Sequence, residues 1–249
     1  MCSSLRSRLP LNPRTHVKRR QFAILQLVFL VSVARGGSLL PAGESGDTGT
    51  IEGTVTYRAD SARPWRYSRH YIRRPGSGEL SEAVVAIRRL RSEKDTTPRE
   101  PQTVNIDQKD FQFVPELVAI RAGDSVHFTN SDDSIHNVRA STRIATFNVT
   151  VPPRGSHTER FPKAGGIRDP VHIGCVFHSS MRAWIFVFDH PHFAVTDVMG
   201  RFRLTGLPPG QYELEMAHPA GELRRMSKVE VPAGQSITVD ISVSPDDKR

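Results

Sequence analysis

The stretch VHIGCVFHSSMRAWIFVFD (residues 171–189) holds two short apolar runs separated by a loop. The first run ends at Cys175, and the loop carries His178 and Met181 back toward the second. Runs of this length, rich in Val, Ile and Phe, read as β-strands. The second, AWIFVF (183–188), is apolar at every position. A strand with one solvated face alternates, so AWIFVF predicts two covered faces. One face fills its own core, and the other packs against a second module. The alternative is an ordinary central strand whose outer aromatics stay exposed.

Working outward, the same texture recurs. TIEGTVTYR (50–58), EAVVAIRRL (82–90), FVPELVAIRAGDSVHFTNSD (113–132), ATFNVTVPPRGSHTERF (145–161) and KVEVPAGQSITVDISVS (228–244) alternate apolar and polar residues between Gly, Pro and Asp turns. Helical periodicity is nearly absent, so the fold is all-β. EKDTTPREPQT (93–103) reads as a polar linker before a new block of strands, and the texture changes again near residue 192.

The formal charge of +8 over 249 residues suggests a polyanion binder until it is placed. Residues 1–34 hold Arg6, Arg8, Arg14, Lys18, Arg19 and Arg20 and no acid, leaving 28 basic against 26 acidic residues elsewhere. That segment has the layout of a signal peptide: a basic start, the apolar run FAILQLVFLVSVA (22–34), and small Ser32 and Ala34 before a cleavage point. The run is short for a transmembrane span, which needs about 20 residues. The expectation is export to the periplasm or extracellular space with no membrane span in the mature chain, the alternative being a retained N-terminal anchor. Arg19–Arg20 also fits a twin-arginine signal, so the export route stays open. Nucleic acid is not an expected partner outside the cell. The loop at 59–78 interleaves Arg63, Arg66, Arg69, Arg73 and Arg74 with Trp65, Tyr67 and Tyr71, and reads as a solvated connection or a docking surface.

Export leaves Cys175 as the one cysteine of the mature chain, so a hydrophobic core rather than a disulfide framework must hold the fold. A lone thiol there is an intermolecular bridge, a free thiol or a metal ligand. Thiolate, imidazole and thioether form a soft donor set that suits copper. His136 begins a strand after the polar turn NSDDSI (130–135), where a fourth donor is needed. Zinc would accept the sulfur and the imidazoles but gains little from a thioether. His190 and His192 form an H-x-H pair read as a structural junction, with a second metal as the alternative.

Phe113 and Pro115, the AGD turn (122–124), Val126-x-Phe128-x-Asn130, HNV (136–138) and Cys175-x2-His178-x2-Met181 occur in one order. Together they resemble the cupredoxin family, which includes plastocyanin and amicyanin. The resemblance implies a Greek-key β-sandwich over 103–190 holding one type 1 (blue) copper. It implies His136, Cys175 and His178 as equatorial ligands and Met181 as the axial one. Asn137 matches the residue that hydrogen-bonds across to the ligand loop. Ile173 stands where the family usually has an aromatic residue, and Gly174 is looser than usual before the cysteine.

TDVMGRFRLTGLPPGQYELEM (196–216) resembles the carboxypeptidase regulatory-like family, a smaller transthyretin-like β-sandwich over 192–243. The family's first strands are missing before that segment, but IEGTVTY (51–57) and EAVVAI (82–87), within 48–92, supply them. The cupredoxin-like sandwich is therefore expected inside the second one or packed against it. The module order resembles exported bacterial proteins labelled methylamine utilization proteins.

These resemblances imply a one-electron carrier serving a redox partner protein of unknown identity, and no enzymatic turnover. Copper storage or delivery is one alternative. Another is an envelope module whose regulatory-like sandwich binds a glycan or an envelope protein, with the metal secondary.

Overall fold

The computed structural model describes residues 47–58, 77–88 and 99–247. Residues 1–34, expected to be a signal peptide, and all but the last two residues of the basic and aromatic loop lie outside them. Two strands come first, β1 (Gly49–Tyr57) and β2 (Val84–Arg88). A central group follows: β3 (Thr103–Lys109), β4 (Gln112–Val114), β5 (Leu117–Arg121), β6 (Ser125–Asn130), β7 (His136–Ser141), β8 (Thr146–Val151), β9 (Ser156–Arg160), β10 (Val171–Gly174) and β11 (Arg182–Phe188). The last group is β12 (Phe193–Val195), β13 (Arg201–Leu207), β14 (Gly210–His218), β15 (Leu223–Val231), β16 (Ser236–Thr238) and β17 (Ile241–Val243).

These strands make four sheets. One runs β13-β1-β16 with β17 also on β1, and a second runs β12-β2-β14-β15. Both therefore mix strands from the two ends of the chain. The central strands form the other two, β5-β11-β10-β7-β8 and β4-β3-β6-β9. Within this pair, β3 lies parallel to β6 and β5 parallel to β11. Parallel neighbours without helices require the chain to cross between the facing sheets, which makes a Greek-key sandwich. One β-sandwich is thus inserted between the two halves of another. Gly53 of β1 shows how closely the outer sandwich is packed: a Cβ there would run into the Val239 carbonyl.

Side-chain alternation stacks the sheets into layers. Ile51, Val55, Val85, Ile87, Leu204, Leu214 and Met216 fill the outer sandwich. Ile106, Val118, Ile120, Phe128, Ile173, Ile185 and Val187 fill the inserted one. A third apolar layer, with Val84, Ala86, Leu117, Phe186, Phe188 and Ala217, lies between them. The two faces of β11 therefore go to different cores: Ala183, Ile185 and Val187 point into the inserted sandwich. Phe186 and Phe188 fill the seam, with Trp184 packed against it. Strands β2 and β5 divide their faces in the same way. The apolar continuity of AWIFVF has this double burial as its cause. An ion pair also crosses the seam, from Arg168 to the buried Glu215 carboxylate at 2.8 Å.

Candidate metal centre

The donors meet at one end of the inserted sandwich. His136 is the first residue of β7 and is fully buried. Cys175 directly follows β10 and is buried, while His178 is half-buried on the loop. Met181 directly precedes β11 and is buried in the same apolar cluster as Cys175. Its N–H donates to the His178 carbonyl at 3.0 Å, which closes the loop into a turn.

The His136 and His178 Nδ1 atoms lie 3.1 Å apart, and Cys175 Sγ is 3.7 Å from His178 Nδ1. All three donor atoms fall within 4.8 Å of one another, and no other group of three or more such residues converges among the described residues. Donors held 2.0–2.3 Å from a common ion are about 3–4 Å apart, so this spacing fits a bound metal. Tautomer chemistry supports the same fit. His136 Nε2 lies 2.7 Å from Asp132 Oδ2, and a neutral imidazole that donates to this carboxylate carries its lone pair on Nδ1, the atom that faces His178.

Asp132 belongs to a turn shaped by Asn130. The Asn130 side-chain NH2 donates to the Ser134, Val151 and Pro152 carbonyls, and its Oδ1 accepts the Asp132 N–H. Burial opposes ionisation of Asp132, but hydrogen bonds from the Phe111 amide, His136 and the Asp110 amide outweigh it. Its carboxyl is held below the ordinary value.

The two amides belong to the β3–β4 hairpin. Asp110 N–H donates to Asp132 Oδ1 at 2.7 Å and Phe111 N–H to Oδ2 at 3.1 Å. Both residues are left-handed, with φ of 54° and 58°. A two-residue hairpin turn of this hand prefers Asn-Gly. A side chain there costs roughly 1–2 kcal/mol per residue. Phe111 nevertheless sits edge-on to both imidazoles, its ring centroid 5.4 Å from that of His136 and 4.8 Å from that of His178. Neither Asp132 nor Phe111 stands out in the sequence. The only signal was the acidic turn four residues before His136.

Five large apolar side chains around this end of the molecule are 46–52% exposed: Phe111, Val114, Ile135, Val176 and Phe177. Two of them flank the half-buried His178, the Phe111 ring centroid lying 4.8 Å and that of Phe177 6.5 Å from its imidazole.

Other expected residues sit differently. The Asn137 NH2 donates to Asn148 Oδ1 at 2.6 Å and to the Val149 carbonyl at 3.1 Å, both on β8. No hydrogen bond from it to the ligand loop is present among the described residues, because the β7–β8 register places β8 acceptors beside its amide. Gly174 is not loose: it is paired on one side with Arg182 and on the other with Arg139. His190 is buried against Phe188, and its Nδ1 accepts the His192 N–H at 3.2 Å. His192 Nδ1 lies 3.2 Å from the Thr205 carbonyl. This pair lies at the junction between β11 and β12, and among the described residues it is part of no cluster of three or more His, Cys, Asp or Glu donors.

Residues 182–244 match the family model of the carboxypeptidase regulatory-like domain. The match opens within β11, which the structure places in the inserted sandwich. No curated protein matches the sequence. Among solved structures, amicyanin from Paracoccus versutus is 18% identical with a TM-score of 0.31, over 42% of this chain and 97% of that one. A purple cupredoxin from Nitrosopumilus maritimus is 19% identical with a TM-score of 0.30, over 34% of this chain and 99% of that one. A copper-containing nitrite reductase from Thermus scotoductus is 20% identical with a TM-score of 0.33, over 38% of this chain and 24% of that one. Residues 182–244 are thus similar to the carboxypeptidase regulatory-like domain, and the chain inserts into the outer sandwich a Greek-key sandwich whose His136, Cys175 and His178 converge at one end.

Proposed function

We propose that this is an exported copper protein that carries single electrons. The observation that carries the reading is the convergence of two imidazoles and one thiol, the half-buried imidazole of His178 lying between the exposed rings of Phe111 and Phe177. Copper held there would supply a one-electron couple. Cys175 would give the anionic sulfur, His136 and His178 the imidazole nitrogens, and Met181 would offer a weaker thioether. Four protein donors leave no open position for a substrate, which argues for transfer rather than turnover.

The protein's own contribution is rigidity. Ladders on both sides of Gly174 fix the backbone before Cys175, and Asp132 fixes the tautomer of His136. Apolar neighbours keep water from the buried sulfur and tune the site. Phe111 and Phe177, both about half exposed, would suit a redox partner with an apolar docking face beside His178. Export rests on the leader. Among the described residues, no helix is long and apolar enough to cross a membrane.

The test is reconstitution of the mature protein with Cu(II). An intense thiolate-to-copper band in the visible spectrum is expected, and Cys175→Ser should abolish it. Colourless protein with stoichiometric zinc would sink the reading. Rapid stopped-flow reduction with slow metal loss supports electron transfer. Sluggish reduction with fast loss to a chelator would favour copper delivery, a reading kept in view by the half-exposed His178.

A further inference from the structure

Phe111 is hard to account for by packing alone. A bulky side chain at positive φ is an outlier, and here it follows a second left-handed residue, Asp110. Core burial does not explain it, since the side chain is 46% exposed. Backbone strain of this kind gathers at sites where the surroundings over-determine the conformation.

What over-determines it is one carboxylate. Asp132 accepts both turn amides and also holds Nε2 of His136, so the Phe111 turn and the ligand ring share an anchor. Oδ2 alone serves Phe111 N–H and His136 Nε2. The Phe111 ring then stands edge-on to His136 and His178, whose Nδ1 atoms face each other. Of the two imidazoles His178 is the more exposed, so Phe111 lies over the side from which a metal would enter or leave.

We propose that Asp132 and Phe111 form a latch on the metal centre, with Asp132 as a positioning residue for His136 and Phe111 as the cover that slows metal exchange. The inference rests on the metal reading of the His136–Cys175–His178 cluster. Turning the Asp132 carboxylate away would release the His136 ring and the Phe111 turn together, so ligand orientation and cover respond as one unit.

Two measurements test it. Long-range 1H–15N NMR of the metal-free protein reads the histidine tautomers directly. Wild type should hold His136 as the Nε2–H tautomer, and Asp132→Asn, nearly isosteric, should show a mixture. In copper-loaded protein, Phe111→Ala should lose metal to a chelator several-fold faster, and Asp132→Asn should bind copper roughly 10–100-fold more weakly. Circular dichroism confirms that each variant folds; should Phe111→Ala fail to fold, Phe111→Leu, which keeps bulk but loses the ring, replaces it. A wild-type tautomer in Asp132→Asn, or a wild-type exchange rate without the Phe111 ring, would overturn the latch. Wild type that takes up no copper overturns the metal reading instead, while the tautomer measurement still decides the role of Asp132.

Discussion

Gly174 lies beside the thiol, and its surroundings do not require a glycine. A Cβ there would come no closer than 3.8 Å to His172 Cε1 and 4.0 Å to the Met181 carbonyl, which is ordinary contact. Its missing side chain borders a crevice of about 180 Å³ that also touches Arg139, His172 and Cys175. Gly174→Ala should therefore stabilise the fold by about 0.4–1 kcal/mol, by restricting the unfolded chain without a steric penalty. Denaturant titration checks this, and a loss of stability would contradict it. At this scale the three converging donors were legible, because a soft donor set names itself by residue type. The latch residues were not: Asp132 reaches the Phe111 amide only because β3 and β6 lie side by side, a register that no local pattern encodes. Asn137 erred in the same way, since its partners depend on where β8 falls.

At the scale of elements, β11 joins the two cores. Phe186 is fully buried in the seam while its neighbours Ile185 and Val187 serve the inserted sandwich. Phe186→Ala should cost about 3–5 kcal/mol, as expected for a fully buried aromatic ring that leaves a cavity. Because the lost packing lies between the sandwiches, the variant should also split a single thermal transition into two, seen by calorimetry. A single transition at an unchanged midpoint would show that the seam carries little stability. The sequence exposed this strand through its missing alternation, a signal that exists only when both faces are covered. Naming the partner strands required more, because β2 meets β14 across more than a hundred intervening residues.

Across the whole molecule, two groups at the seam respond to pH in opposite senses. Burial, with the nearby Glu116 carboxylate, raises the Glu82 pKa from 4.5 to about 7. Glu82 Oε2 is buried without a hydrogen-bond partner among the described residues. Between those values the folded state keeps a proton that the unfolded chain has lost, so stability falls as pH rises through the window. Burial lowers the His218 pKa from 6.5 to about 4, opposed by hydrogen bonds involving its own backbone and that of Ser81, with Arg182 adding to the lowering. There the unfolded chain takes up the extra proton, so stability falls as pH drops from 6.5 toward 4. The two effects offset one another near pH 5–6. Glu82→Gln should stabilise the fold at pH 8 by about 1 kcal/mol, a rise of roughly 2–4 °C in melting temperature, and have less effect at pH 4.5. Equal shifts at both pH values would contradict the assignment.

The interrupted order of the outer sandwich has a consequence in time. Gly49 of β1 pairs with Leu207 of β13, and Val85 of β2 with Met216 of β14. A chain made from its N-terminus presents β1 and β2 first, long before any of their partners in β12–β17 exist. The inserted sandwich, whose strands are contiguous from Thr103 to Phe188, can close in the meantime. Its closure brings Thr103 and Phe188 into one folded body and so shortens the loop that β1 and β2 must span to reach their partners. The inserted sandwich would then act as the splint on which its own host is assembled, leaving the early strands dependent on its completion for protection against mispairing.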